Sequence, residues 1–344
     1  DDVYRALSMV EEFPFNKKIK VNDEITFEFI PAGHVMASAQ LLLYITNGST
    51  TRKIAFTGDL GNLDVEGYYV NDFTPIQNAN LLVGECTYAD KKRSVKAKDR
   101  FFDLDKIKTF VQTICVDGGG SVLFPSFSFM RSQVILTVLY DLFHEDKDFN
   151  IPIYVASPLT CKINKVFDEQ LEGEQLERWR QVRNWDKVNF IDNFEKLEGI
   201  MGQNGPKILC CSSGMMNAGY SVYVAEKLLP SAKNGIAFIG YSVEGTLAWK
   251  IKQKKTKTLS LNGKPVPNRC QIINLSSFSS HMQRDSLVKY YSGGFGTGSY
   301  GKIVLQHGNK KDRIGLAEDI QEAISKRNRS DKVLIANKSL EILL

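Results

Sequence analysis

Five side chains that could bind a metal ion or transfer a proton follow predicted strands. They are His34 after FEFIPAG, Asp59 after KIAFTG, Glu85 after LLVG, His281 in SSFSSHMQRDSL and His307 after KIVLQ. Neutral imidazoles and carboxylates are zinc ligands, and one carboxylate can bridge two metal ions. A histidine that is oriented by a carboxylate can instead protonate a leaving group. The residue types therefore favour hydrolysis at a metal site.

Each of these residues taken alone also has a purely structural explanation, because a strand-end Asp or His commonly hydrogen-bonds its own loop. As a set they favour a site, since open α/β sheets bind ligands at the carboxyl ends of their strands. Glycine and serine neighbours allow a metal ion or a substrate to approach closely. The fourth histidine, His144, lies at the polar end of a predicted helix, where the helix dipole favours an imidazole. We assign no chemistry to His144.

The elements that would position these residues are typical of an α/β protein. Residues 17–60 alternate apolar and polar side chains, which predicts strands, and residues 80–88 predict a strand that is buried on both faces. From about residue 100, short apolar strands alternate with helical segments, as in a largely parallel sheet. A basic, hairpin-like segment over 251–267 interrupts this pattern before strands and helices return. Two distant stretches of the chain must therefore converge to form one site.

Composition limits the classes of function. The 344 residues carry a net charge of +5, which is compatible with an anionic substrate without requiring one. No run approaches the roughly 20 apolar residues of a membrane span. The six cysteines form no CxxC pair, and we expect buried, reduced thiols in a cytoplasmic protein.

The segment GTGSYG at 296–301 matches the glycine pattern of a dinucleotide-binding loop. Such a loop must follow a strand and open a helix. Here the segment follows a predicted helix and precedes the strand KIVLQ. We therefore predict a glycine-rich loop without a nucleotide.

The motifs that contain these residues also form a family pattern. FIPAGHVMASAQ and KIAFTGDLGN resemble two motifs of the metallo-β-lactamase-fold nucleases, and LLVGECTYAD, SSFSSHMQRDSL and IVLQHGNKKD resemble motifs A, B and C of their β-CASP branch. VLFPSFSFMRSQVILTVL and CCSSGMMNAGYSV resemble further family segments. The resemblance implies an α/β fold: a metallo-β-lactamase αββα sandwich at 1–95 and 270–344, and an inserted parallel β-CASP domain at 96–269.

The resemblance also implies a role for each candidate residue. His34 would bind one zinc ion and His307 a second, and Asp59 would bridge the two ions and take part in catalysis. His281 would be the general acid or would stabilise the transition state, and Glu85 would orient it. Backbone N–H groups near a helix start would hold a phosphate in the loop formed by Ser212, Ser213, Gly214 and Met215.

The chain departs from the family pattern near its beginning. The family's His-x-His-x-Asp-His motif, which supplies most zinc ligands, and its first Asp motif do not occur in the sequence. In family members both lie upstream of the motifs that this chain contains, so we expect a chain that is truncated by roughly half a domain. His34, Asp59 and His307 would then hold two zinc ions poorly.

The function implied by the resemblance is a zinc-dependent RNA-processing nuclease that cleaves phosphodiester bonds with a metal-activated hydroxide. RNA is the expected partner, and a homodimer is left open. A catalytically inactive RNA-binding or scaffold protein is one alternative, and a hydrolase of another substrate is a second. The five retained strand-end residues disfavour the first, and the long inserted block disfavours the second. The basic run 252–257 would contact the RNA backbone or form a solvated hairpin, and we favour the hairpin. Arg131 would be structural or face the RNA, and we favour the structural role.

Overall fold

The computed structural model describes residues 2–65, 67–91 and 95–343, and the chain divides into two compact units. The first unit contains residues 1–95 and 280–344, and the second contains residues 96–279. Among the described residues, no helix has the length and apolar character that are needed to cross a lipid bilayer.

A short helix and four strands come first in the chain, and helices alternate with strands along most of the remainder. The strands are β1 (Ile19–Lys20), β2 (Ile25–Pro31), β3 (Ala39–Asn47), β4 (Thr50–Phe56), β5 (Leu81–Glu85), β6 (Val122–Pro125), β7 (Ile153–Ala156), β8 (Val188–Ile191), β9 (Ile208–Cys211), β10 (Gly235–Ile239), β11 (Thr258–Leu261), β12 (Lys264–Pro267), β13 (Gln271–Leu275), β14 (Lys302–Gln306) and β15 (Lys332–Ile335). The helices are α1 (Asp2–Leu7), α2 (Ala97–Val111), α3 (Arg131–Phe143), α4 (Pro158–Gln170), α5 (Gly173–Arg183), α6 (Phe194–Gly202), α7 (Tyr220–Leu228), α8 (Leu247–Gln253), α9 (Arg284–Tyr291) and α10 (Lys310–Ser325). A π-helical segment, Gln112–Asp117, continues α2.

The first unit is built on a seven-stranded mixed sheet in the order β1-β2-β3-β4-β5-β14-β15. Strands β1 to β4 pair antiparallel, whereas β4, β5, β14 and β15 pair parallel. Strand β14 joins the sheet beside β5, and Gln306 is the register partner of Glu85. Residues from the beginning and the end of the chain thus lie on neighbouring strands.

One face of this sheet carries the core of the unit. Successive strand residues point to opposite faces, so the alternation in the sequence separates two sets of apolar side chains. Ile30, Leu42, Ala55 and Leu82 are buried in one cluster with residues of α9 and α10. On α10 the buried residues Leu316, Ile320 and Ile324 recur every four positions, as expected for one apolar stripe of a helix. Side chains on the opposite face, such as Phe27, Leu43 and Ile54, are half-buried.

The second unit is built on a six-stranded sheet in the order β13-β10-β6-β9-β7-β8. All neighbouring strands pair parallel, and β6, β9 and β10 are buried along their whole length. Strands β11 and β12 form a separate antiparallel hairpin. The predicted α/β class, with a largely parallel sheet in the middle of the chain, is confirmed.

The domain assignment made from the sequence stays a prediction, and the compact units differ from it in one place. The sequence assigned 270–279 to the first domain. Strand β13 pairs with β10 from Gly235–Gln271 to Ile239–Leu275, so its backbone hydrogen bonds attach this segment to the second sheet. The chain returns to the first unit at residue 280.

The glycine-rich segment 296–301 is a loop that precedes β14, as its sequence context predicted. Its last three residues contact the buried side chain of Asp331. That carboxylate accepts hydrogen bonds from the amides of Tyr300 and Gly301 and from the Ser299 hydroxyl, and it pairs with Arg329 at 2.8 Å. The loop therefore binds a side chain of its own protein.

We expect Asp331→Asn to destabilise the protein by about 1–3 kcal/mol at pH 7, because hydrogen bonds to a charged group are lost. Burial raises the pKa of Asp331, but the hydrogen bonds from Arg329, Ser299 and Tyr300 outweigh it, so the pKa in the folded protein lies below its usual value. The contribution of this carboxylate is therefore present above the unfolded pKa of about 4 and is lost as the pH falls further.

Urea unfolding of the wild type and Asp331→Asn at pH 7 and at pH 3 tests this expectation. The difference between the two proteins should shrink at pH 3. The exposed Asp192, which pairs with Lys196, provides a matched control, and Asp192→Asn should unfold like the wild type. A difference for Asp331→Asn that is the same at both pH values would contradict the electrostatic explanation.

Candidate metal centre

The first unit brings all five strand-end residues to one edge of its sheet. Strands β2, β4, β5 and β14 run in the same direction. His34 follows β2, Asp59 follows β4, Glu85 ends β5 and His307 follows β14. His281 lies in the segment before α9 and forms an antiparallel bridge with Gly61. The convergence of distant segments that the sequence required is thus present.

Two glycines allow the loops of His34 and Asp59 to touch. Gly33 has a φ of +71°, a conformation that is costly for residues with a Cβ atom. The Gly61 amide donates a hydrogen bond to the Ala32 carbonyl at 2.8 Å. A Cβ atom at Gly61 would lie only 2.1 Å from the Gly33 carbonyl oxygen. The backbones of the two loops can pack this closely only because residue 61 has no side chain.

Gly61→Ala should therefore displace the loop that contains His34 and destabilise the protein by about 2–4 kcal/mol, because the added methyl group meets backbone. Thermal unfolding and zinc binding would both report the change. Gly315→Ala is the matched control, since a Cβ atom there would meet nothing closer than 3.6 Å, and it should not weaken zinc binding. Unchanged stability and zinc affinity in Gly61→Ala would contradict this account of the loop contact.

Asp59 lies between two imidazoles. Its Oδ2 is 3.9 Å from His34 Nε2, and its Oδ1 is 3.1 Å from His307 Nδ1. Each carboxylate oxygen of Asp59 therefore faces a different histidine.

Glu85 and His281 form a second pair in this site. The His281 Nδ1 atom lies 3.2 Å from Glu85 Oε1. The Glu85 carboxylate, which is almost fully buried, also accepts hydrogen bonds from the amides of Leu60 at 2.8 Å and Thr87 at 3.0 Å. Burial raises the pKa of Glu85, but the hydrogen bonds from His281, Thr87 and Leu60 outweigh burial and lower it. Glu85 is therefore a buried anion that fixes the His281 ring.

His34 is a neutral imidazole in the middle of the site. Its ring centroid lies 4.3 Å from that of His281. Burial and then the nearby His281 lower the pKa of His34 to about 4. Its buried Nδ1 atom makes no hydrogen bond of normal geometry with any of the described residues. A neutral ring is the form that binds a metal ion.

His307 has an unusual backbone conformation for a residue with a side chain, with a φ of 54°. Its carbonyl accepts a hydrogen bond from the Cys86 amide at 3.2 Å. A Cβ atom on the next residue, Gly308, would lie 2.2 Å from the Cys86 carbonyl oxygen. Positive φ values at side-chain-bearing residues are concentrated at functional sites. The His-Gly pair in the sequence was the local signal of this turn.

The donor set fits zinc in number and chemistry. One ligand atom each from His34, Asp59 and His281 lie within 4.8 Å of one another, and His307 contacts Asp59 from the other side. Three such donors and a water molecule make up a catalytic zinc site, whereas four protein donors would close it. Two ions that shared Asp59 would need more donors than the described residues supply at this edge of the sheet.

The roles assigned from the sequence stay predictions, and the geometry raises a question about two of them. The sequence named His34, Asp59 and His307 as ligands and His281 as the acid. In the structure, the compact group of three contains His281 instead of His307. The hydrogen bond between His281 and Glu85 suits an oriented acid and also a metal ligand, because ligating histidines commonly donate to a carboxylate.

The phosphate loop predicted at 212–215 lies in the second unit, between β9 and α7. Its four residues are half-buried. Helix α7 begins only at Tyr220, so the loop is farther from a helix start than the sequence suggested. The Ser213 amide already donates to the Ala218 carbonyl. The phosphate assignment stays a prediction.

Arg131 lies at the first position of α3, also in the second unit. Its guanidinium group donates a hydrogen bond to the Phe278 carbonyl. This contact agrees with the structural interpretation of Arg131.

Three buried residues around the site were not recognised in the sequence. The Tyr88 ring packs edge-on against the His281 ring, with 5.3 Å between the ring centroids. The Thr57 hydroxyl accepts a hydrogen bond from the Glu85 amide at 3.1 Å. The Tyr291 hydroxyl donates a hydrogen bond to the Glu85 carbonyl at 2.7 Å. Tyr88 lies in the motif CTYAD and Thr57 in the motif FTGD. Their nearness to Glu85 and Asp59 in the sequence was the only sign that they contact the site. Tyr291 closes an ordinary amphipathic helix and had no local signal.

Comparison with known proteins adds an independent observation. Residues 132–251 match the family model described as the Beta-Casp domain. The chain is 28% identical to the cleavage and polyadenylation specificity factor subunit 3-II of Arabidopsis thaliana over 326 aligned residues. The alignment covers 92% of this chain and 49% of that protein.

Two further similar proteins come from a fungus and an archaeon. The endoribonuclease ysh1 of Schizosaccharomyces pombe is 27% identical over 287 residues, or 82% of this chain and 36% of that protein. The RNase J-like protein of Methanocaldococcus jannaschii is 25% identical over 325 residues, or 94% of this chain and 73% of that protein. The chain thus spans half or less of the length of the plant and fungal relatives.

Proposed function

We propose that the chain is a member of the β-CASP branch of the metallo-β-lactamase-fold nucleases and a zinc-dependent hydrolase of phosphodiester bonds in RNA. One observation carries the proposal: Asp59 lies between His34 and His307, beside a histidine that is hydrogen-bonded to a buried anion. This edge of the sheet therefore holds both a metal-binding donor set and an oriented proton donor.

In the proposed reaction, one group of residues binds the metal ion and the His281–Glu85 pair transfers a proton. His34, Asp59 and His307 would hold a zinc ion, which when bound activates water and polarises a phosphoryl oxygen. Glu85 accepts from Nδ1 of His281, and this hydrogen bond fixes the tautomer and leaves Nε2 for proton transfer. A protonated His281 would then donate to the leaving oxygen.

RNA as the substrate is supported by the relatives, two of which are named for ribonuclease activity. The net charge of +5 is compatible with a polyanionic substrate. The loop 212–215 would bind an RNA phosphate, and the cytoplasmic location is proposed from cysteine usage alone. The basic run 252–257 spans the end of α8 and the turn before β11, and its contact with RNA remains the less favoured interpretation.

Zinc analysis and RNA cleavage on the purified chain test the proposal. We expect bound zinc, cleavage of an end-labelled single-stranded RNA, and loss of cleavage after chelation that is restored by zinc. A single-stranded DNA of the same sequence tests the preference for RNA. A folded chain that binds RNA, contains no zinc and leaves the RNA intact after zinc addition would overturn the proposal in favour of an inactive RNA-binding protein.

A further inference from the structure

A buried polar cluster joins the segments that carry Asp59 and Glu85. Thr57 is fully buried and lies two residues before Asp59. Its amide donates to the Val83 carbonyl at 3.0 Å, which extends the pairing of β4 with β5 by one residue. Its hydroxyl accepts from the Glu85 amide at 3.1 Å and donates to the Gly58 carbonyl at 2.7 Å. One threonine thus contacts the backbone on both sides of the site.

Tyr291 completes the cluster from the end of α9. Its ring is fully buried, and its hydroxyl donates to the Glu85 carbonyl at 2.7 Å. Burial raises the pKa of Tyr291 well above its usual value. The phenol therefore keeps its proton and remains a donor at neutral pH.

Gly84 provides the space for this phenol. A Cβ atom at Gly84 would lie 2.5 Å from the Tyr291 hydroxyl oxygen. The strand therefore has no side chain at the one place where the tyrosine reaches Glu85. Both backbone polar groups of Glu85 are then bound by buried hydroxyl groups, its N–H by Thr57 and its carbonyl by Tyr291.

We propose that Thr57 and Tyr291 are positioning residues that fix Glu85 against His281. Helix α9 begins three residues after His281 and ends at Tyr291. The hydrogen bond from Tyr291 to Glu85 therefore connects the helix that follows His281 to the strand that ends at Glu85. The hydrogen bond between the Glu85 amide and the Thr57 hydroxyl connects Glu85 to the segment that leads to Asp59. The inference rests on the proposed function for its catalytic meaning, but the geometry can be tested without catalysis.

The chain offers a matched control for the tyrosine. Tyr300 is also fully buried in the same apolar cluster, and its hydroxyl also donates to a backbone carbonyl, that of Ile76 at 3.0 Å. Tyr291→Phe and Tyr300→Phe therefore each remove one buried hydroxyl group that donates to a backbone carbonyl. Only the first removes a contact to Glu85. Thr57→Val, which keeps the shape of the side chain, is the second test variant.

Proton–nitrogen correlation spectra of the imidazole rings, recorded at one fixed pH without added metal, provide the first measurement. The chain has four histidines, so each ring can be assigned by substitution. We expect the His281 Nδ1 signal to move in Tyr291→Phe and Thr57→Val and to stay in place in Tyr300→Phe. His144, which is stacked on Tyr140, should not move in any variant. A His281 signal that is unchanged in both test variants, with both folded, overturns the inference.

RNA cleavage provides the second measurement. We expect Tyr291→Phe to lower kcat about tenfold and to leave KM within about twofold, because misplaced catalytic groups weaken the transition state more than substrate binding. Tyr300→Phe should retain the wild-type kcat at a similar loss of thermal stability. Equal losses of kcat in Tyr291→Phe and Tyr300→Phe would assign the effect to stability and overturn the inference. If the spectra change but the wild type cleaves no RNA, the proposed function fails and the positioning role stands.

Discussion

Replacing Asp59 by asparagine is expected to weaken zinc binding by more than about 100-fold. Even an outer-shell partner of a metal ligand is worth about 10–100-fold in affinity, and Asp59 is the one carboxylate in the compact group that also contains His34 and His281. Asparagine keeps the shape of the side chain but removes the charge that faces both His34 and His307. RNA cleavage should be lost in parallel.

Chelator competition measures the zinc affinity, and cleavage of an end-labelled RNA measures the activity. Asp64→Asn is the matched control. Asp64 follows in the same loop and accepts a hydrogen bond from Ser286 at 3.0 Å, without a contact to the three histidines among those described. Its replacement should leave zinc affinity within a few-fold of the wild type. An Asp59→Asn protein that binds zinc like the wild type would show that this carboxylate is not a ligand.

Replacing His281 by alanine is expected to lower the cleavage rate by about 10²–10⁴-fold, the usual contribution of a general acid or base, while zinc remains bound. Glu85→Gln should have a smaller effect in the same direction, because a neutral amide orients the His281 ring less firmly than the carboxylate that now accepts its hydrogen bond. His144→Ala is the control, since His144 contacts Tyr140 in the second unit. Rates at saturating zinc, zinc stoichiometry and melting temperature should be measured on each variant.

The zinc content of His281→Ala decides between two roles. His281 lies within ligand distance of the same point as His34 and Asp59, so loss of zinc in this variant would make it a ligand. The general-acid role would then be contradicted. Retained zinc with slow cleavage would support the role that the resemblance implied. His307→Ala should be compared directly, because its Nδ1 approaches the other oxygen of Asp59.

The sequence by itself determined which residues stand at the ends of strands. Alternating side chains predicted β2, β3 and β4, and the sharp stops at PAGH, TGDLGN and QHGN located His34, Asp59 and His307. These are local properties. A strand is predicted by apolar side chains at every second position, and a turn is predicted by residues that tolerate its backbone angles. The glycines that allow the loops to touch, Gly33 and Gly61, were visible in the same motifs.

The tertiary structure alone decided which of these ends meet, and how closely. Strand β14 lies beside β5, and Cys86 and Gln306, which are 220 residues apart in the chain, share a hydrogen bond there. The addition of β13 to the second sheet likewise depends on a pairing that no local pattern specifies. Differences of a few ångströms decide whether His281 or His307 lies in the compact group with His34 and Asp59. They also decide that the Tyr291 hydroxyl reaches the Glu85 carbonyl past Gly84. Such distances result from packing between segments that are remote in the sequence, and residue types and spacing do not contain them.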